Sequence, residues 1–146
     1  MATIELLQSR LSGGRAQRVD DFAVLDPLDV GSRLDELSRL EDGWLNGEGK
    51  ALSPDGLRWL AECFDRYFSE ELQLPCLCPT VDGGIYAEWL LEPLNLSLEI
   101  DLESHRAHWH AMDFSDDSYT EENIDLNRLG SWNWLCEQIR QNGGVS

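Results

Sequence analysis

The hydrophobic period of this chain changes partway along, and that change limits the fold more than any other feature. Ser53-Pro54 reads as a helix N-cap followed by proline at the first helical position, where its missing N–H costs nothing. From there Leu57, Leu60, Ala61, Phe64, Phe68 and Leu72 recur at helical spacing and predict a single apolar stripe. After Leu74 the period becomes two. PCLCPT, a DGG turn at Asp82 to Gly84, and IYAEWLL read as a hairpin, because Asp-Gly supplies the positive φ of a tight turn. A helix that must bury one stripe, followed by strands that must bury alternate residues, predicts helices layered on one face of an antiparallel sheet.

The rest of the chain extends this pattern. Ser32 and Asp35 form a capping-box-like pair before Leu34, Leu37 and Leu40, predicting a first helix that stops at Asp42-Gly43 and leads into the glycine-rich loop GWLNGEGKA. Pro75 and Pro79 lack the N–H a ladder needs, so the first strand belongs at an edge. EPLN leads to a third strand, NLSLEIDLE, and Ser104-His105 turns it into a fourth. With those two as the turn residues, Leu102 pairs with Ala107, Ile100 with Trp109 and Leu98 with Ala111, while Asp101 opposes His108 and Glu99 opposes His110. Leu98, Ile100, Trp109, Ile85, Ala87 and Trp89 are then expected to face the helices. DFSDDSYTEENID, from Asp113 to Asp125, reads as an acidic loop. A last helix capped by Ser131 carries Trp132, Leu135, Cys136 and Ile139 and ends at Gly143-Gly144. The expected fold is α+β: two N-terminal helices packed on a four-stranded antiparallel meander, plus a C-terminal helix.

Charge divides the chain. Residues 1–18 carry Arg10, Arg15 and Arg18 against Glu5, whereas the remainder is strongly acidic. We read 1–18 as an N-terminal arm that folds back on the body, and 19–146 as one domain. The whole chain holds 28 acids against 11 bases, a net charge of −17. Such a field repels phosphate, which argues against direct binding to nucleic acid or an anionic membrane, and it attracts a basic protein. No apolar run approaches the length of a membrane span, and the first residues lack the apolar core of a signal peptide. Cys63, Cys76, Cys78 and Cys136 are therefore expected as reduced thiols in a cytoplasmic protein, a monomer or homodimer.

The cluster SHRAHWH places all three histidines within six residues. A His held by a carboxylate is the base half of many hydrolases, and two imidazoles at i, i+2 on a strand can bind a metal. However, the register that buries the apolar set already pairs these imidazoles with carboxylates, as a charge-complementary sheet surface would. No G-x-S-x-G, Walker, Rossmann, HExxH or EF-hand motif accompanies them. Cys76-Leu-Cys78 has a CxC spacing unlike a zinc knuckle, and reads as two buried thiols. The expectation is a protein that is not an enzyme, with no cofactor and no metal. Acids dominate instead from Val81 to Leu126. Glu99, Asp101, Asp116, Asp117, Glu121 and Glu122 are the candidate partner-binding residues, a stripe that either aids solubility or mimics a phosphate backbone. Trp59 points away from the helical stripe, where it either meets another element of the fold or is offered to a partner as the candidate apolar anchor.

EDGWLNGEGKALSP at Glu41 to Pro54, LQLPCLCPTVDGGIYAEW at Leu72 to Trp89 and LSLEID at Leu96 to Asp101 together resemble a family of small bacterial proteins with a GW loop, a DGGI-x-x-EW hairpin and an alternating acidic strand. The resemblance spans Leu37 to Met112. Thr80-Val81 stands where the pattern has Thr-Pro, and Ala87 where it has a bulky residue. Members look like companions of mobile elements and toxin–antitoxin loci. The resemblance and the charge together imply an inhibitor of a basic nucleic-acid-binding protein, anti-CRISPR- or anti-restriction-like, with an antitoxin-like neutraliser as its relative. The reading from another class is a small hydrolase or metal-dependent enzyme using the His/Asp/Glu sheet face.

Overall fold

The computed structural model describes residues 30–145; the arm expected at 1–18 lies outside them. Helix α1 spans Val30–Leu37 and α2 Pro54–Tyr67. They are followed by β1 (Cys76–Pro79), β2 (Ile85–Leu91), β3 (Leu94–Ile100), β4 (Arg106–Asp113), β5 (Ser118–Asp125) and helix α3 (Leu129–Gln141). The strands form one antiparallel sheet in chain order, a five-stranded meander with β1 and β5 at its edges. The α+β class holds, and so does the edge position of β1. The strand count does not, because the segment read as an acidic loop is the fifth strand.

Helix α2 forms as its sequence dictates. Ser53 Oγ accepts the N–H of Gly56 at 3.0 Å, and Pro54 occupies the first turn. Leu57, Leu60 and Phe64 are buried on one face, and the stripe continues through Phe68 and Leu72 after the helix has ended at Tyr67. Gly56 lets this first turn sit against the β3–β4 connection: a Cβ there would lie 2.6 Å from that of Leu102. The other two helix starts differ from expectation. Ser32 lies inside α1, which ends at Leu37 rather than at Asp42-Gly43, and Ser131 lies inside α3, which is entered from an extended Arg128. Helix α1 thus stops short of Leu40, the last residue of its expected stripe, and α3 begins at exposed Leu129, ahead of its buried Trp132.

All six residues expected to face the helices do so: Ile85, Ala87, Trp89, Leu98, Ile100 and Trp109 are buried. Around them pack Phe64, Phe68, Trp132 and Leu135. Phe68 stacks near Trp89, Phe64 meets the Trp132 ring edge-on at 5.4 Å, and Trp134 meets Trp109 edge-on at 5.6 Å. The indole N–H groups are satisfied inside this core, Trp89 to the carbonyl of Gln73 and Trp132 to that of Leu126, each at 2.9 Å.

The β3–β4 register is two residues away from the expected one. Ile100 pairs with Ala107, Leu98 with Trp109, Glu99 with His108 and Ser97 with His110. The cause is a longer turn. Asp101 Oδ1 accepts the N–H groups of Glu103 and Ser104, the Asp101 N–H donates to Arg106 O, and His105 closes the turn at φ 64°. Leu102 is thereby pulled into the core from the turn instead of pairing with Ala107. A slip of two preserves which face each side chain occupies, so the buried set is right while the partners are not.

Candidate partner-binding face and histidine cluster

The helices cover one face of the sheet. The other face presents rows of side chains that run across the strands: Cys78, Tyr86, Glu99, His108 and Asn123 in one, Cys76, Glu88, Ser97, His110 and Glu121 in the next. Cys76 and Cys78 are exposed on this face, which corrects their reading as buried thiols, whereas Cys63 and Cys136 are buried. The two cysteines share rows with His108 and His110, but three strand spacings intervene, about 14 Å at about 4.8 Å each. They cannot close one tetrahedral site with those histidines.

The six candidate acids do not form one stripe. Glu99 and Glu121 lie on the open face, and Glu122 is its neighbour on β5 and so points to the opposite face, where it remains exposed. Asp101 sits at the β3–β4 turn, and Asp116 and Asp117 at the far end of the β4–β5 hairpin. The eight-residue strand β4 separates those ends by roughly 23 Å. Three of the six also hold local structure. Asp101 caps its turn, Asp116 Oδ1 accepts the N–H of Ser118 at 2.9 Å, and Asp117 adopts φ 58°, a conformation that Asp tolerates better than most residues. Trp59 is half-buried, stacked on the imidazole of His105 at 3.7 Å and 4°. His105 in turn hydrogen bonds through Nδ1 to Asn127 Oδ1 at 2.8 Å and so joins α2, the β3–β4 turn and the segment after β5. Sequence reasoning treated His105 only as a turn residue and missed this.

Beside that turn lies an open groove of about 800 Å³, bordered by Lys50, Asp82, Glu99, Asp101, Glu103, Arg106 and His108. The turn hydrogen bonds from Ser104 and Glu103 hold the Asp101 carboxyl below its usual 3.8. A depressed folded-state pKa contributes stability above the unfolded value that is lost as pH falls through the folded one. Asp101→Asn is therefore expected to lower the melting temperature near neutrality, with the gap to the wild type narrowing as pH falls below about 4. A gap of constant size in thermal melts down to about pH 2 would contradict this.

The histidines make the densest polar cluster on the open face. His108 and His110 stand at i, i+2 on β4 with ring centroids 4.3 Å apart. His108 Nδ1 meets Asn123 Oδ1 at 2.6 Å and its Nε2 meets Glu121 Oε1 at 2.6 Å, while His110 Nδ1 meets the Tyr119 hydroxyl. The bonds to Asn123 and then Glu121 raise the His108 pKa. All three partners come from β5, so this cluster was hidden while that strand was read as a loop. The carboxylate that His108 bonds is Glu121 on β5, while Glu99 stands opposite it on β3.

No family model, curated protein or solved structure matches this chain. Among the described residues, no helix is long and apolar enough to cross a membrane.

Proposed function

We propose that this protein is an acidic inhibitor that binds a basic, nucleic-acid-binding protein partner through the open sheet face and the β4–β5 hairpin. The observation that carries this reading is the placement of carboxylates on a sheet face that no helix among the described residues covers. Glu88, Glu99 and Glu121 project from three strands, Asp116 and Asp117 crown the hairpin, and Asp125 sits at its other end. Arg106 is the one lysine or arginine on the five strands, and it lies 3.9 Å from Asp125. With a net charge of −17 behind it, this surface attracts a cationic groove built for phosphates and holds its carboxylates in place without a folding cost on binding. A bacterial, mobile-element-encoded inhibitor of a defence complex, or a neutraliser of a toxin, fits the same chemistry.

The test is capture from a bacterial lysate on the immobilised chain, followed by elution. A basic protein is expected that leaves the column as salt rises from about 50 to 300 mM and is displaced by duplex DNA, since both compete for the same cationic surface. Retention that neither salt nor DNA weakens would refute phosphate mimicry.

A further inference from the structure

We infer that His108, His110 and Glu121 form a binding site for a divalent transition-metal ion of the zinc class, with a coordination position left open to solvent. One ligand atom from each of the three lies within 4.8 Å of the others. Two ligands come from alternate positions of β4 and the third from the hydrogen-bonded neighbour β5, so the backbone ladder fixes their spacing.

The hydrogen bonding around the imidazoles supplies a second and separate reason. A neutral imidazole has one N–H. With the Nδ1–H of His108 donated to Asn123 Oδ1 at 2.6 Å, its Nε2 lies 2.6 Å from Glu121 Oε1, a contact that a proton on Nε2 bridges when no ion is bound. Nε2 and Oε1 aimed at one point can hold a metal ion in place of that proton. His110 has its Nδ1 engaged by the Tyr119 hydroxyl. Both rings thus have Nδ1 held by an oxygen of β5, and such outer partners orient ligating histidines.

The chemistry of the set selects the ion. Two imidazoles and one carboxylate suit zinc, nickel or copper, whereas calcium and magnesium prefer oxygen donors throughout. Bonds of about 2.0–2.2 Å at tetrahedral angles place ligand atoms roughly 3.3–3.5 Å apart. The His108–Glu121 pair must open by somewhat under about 1 Å and the wider pairs close by at most about 1.5 Å, within the rotamer freedom of side chains on an open face. With three protein ligands, the remaining position takes water or a donor from another molecule.

The experiment uses the isolated chain, so its outcome is independent of whether a basic partner exists. EDTA-stripped protein is titrated with zinc chloride by calorimetry in millimolar magnesium, which swamps unspecific attraction to the acidic surface. One ion per chain at micromolar Kd or tighter is expected. His108→Ala/His110→Ala should weaken it by about a hundredfold or more, and Asn123→Ala by about tenfold through loss of ring orientation. Cys76→Ser/Cys78→Ser should leave it unchanged, and cobalt substituted for zinc should give the visible absorption of a tetrahedral nitrogen–oxygen set. Circular dichroism establishes that each variant is folded. Absence of stoichiometric binding in the wild type, or binding that survives loss of both histidines, overturns the assignment.

Discussion

Glu99→Lys/Glu122→Lys is expected to cut association with the basic partner by about tenfold or more at low salt while leaving the fold intact. These two acids are the informative pair. Asp101, Asp116 and Asp117 serve their turns, and Glu121 serves His108, so changing any of them mixes charge with structure. Glu99 and Glu122 are exposed on strand backbones, where a charge reversal usually alters stability by only about ±0.5 kcal/mol. The loss should appear in the association rate, because long-range attraction acts on encounter more than on residence. Surface plasmon resonance against the captured partner at two salt concentrations measures both rates. Since Glu99 lies on the open face and Glu122 on the opposite side of β5, the single variants also show which face docks. Unchanged rates at both salt concentrations would reduce the acidity to a solubility device and end the mimicry reading.

Trp132→Ala should cost about 3–5 kcal/mol, the usual range for deleting a buried aromatic. The side chain is fully buried, meets Phe64 edge-on, and donates its indole N–H to Leu126 O. Its removal leaves a cavity between α2 and α3 and also a buried carbonyl without its donor, and the two penalties add. Urea denaturation gives the free energy, and a fall of about 10 °C or more in melting temperature should accompany it. A shift of only about 2 °C would mean that α3 contributes little to the core. The position bears on the acidic hairpin too, because Leu126 directly follows β5 and its buried side chain and carbonyl anchor that strand to α3.

What could be read from the sequence follows from which interactions are local. Helix α2 and the β1–β2 hairpin were legible because Ser53-Pro54 and Asp82-Gly83-Gly84 announce their own ends. Strand β5 was not. From Ser118 to Asn123 both of its faces are exposed, so no apolar alternation marks it, and Glu and Asn are weak strand formers. Pairing with β4 makes it a strand, and the only local hint lies before it, where Asp113 and Asp116 each bond a backbone N–H two residues on. Missing that strand concealed Tyr119, Glu121 and Asn123 as partners of the histidines, although His108 and His110 themselves were singled out. Trp59 was recognised as unusual, but its partner, His105, depended on a turn whose length Asp101 sets through hydrogen bonds to its own backbone.

The position of β5 at the rim of the sheet has a consequence for how copies of this protein treat one another. An edge strand offers a row of backbone donors and acceptors that any other strand could zip onto, the usual opening for runaway association. Two β5 strands laid side by side in antiparallel fashion would bring Glu121 and Glu122 of each against those of the other and send Asp116 and Asp117 toward Asp125. Self-pairing is thus repelled electrostatically, while a strand bearing lysine or arginine would meet the same edge with favourable charge. The rim therefore discriminates by sign. It refuses its own kind and stays open to a cationic strand.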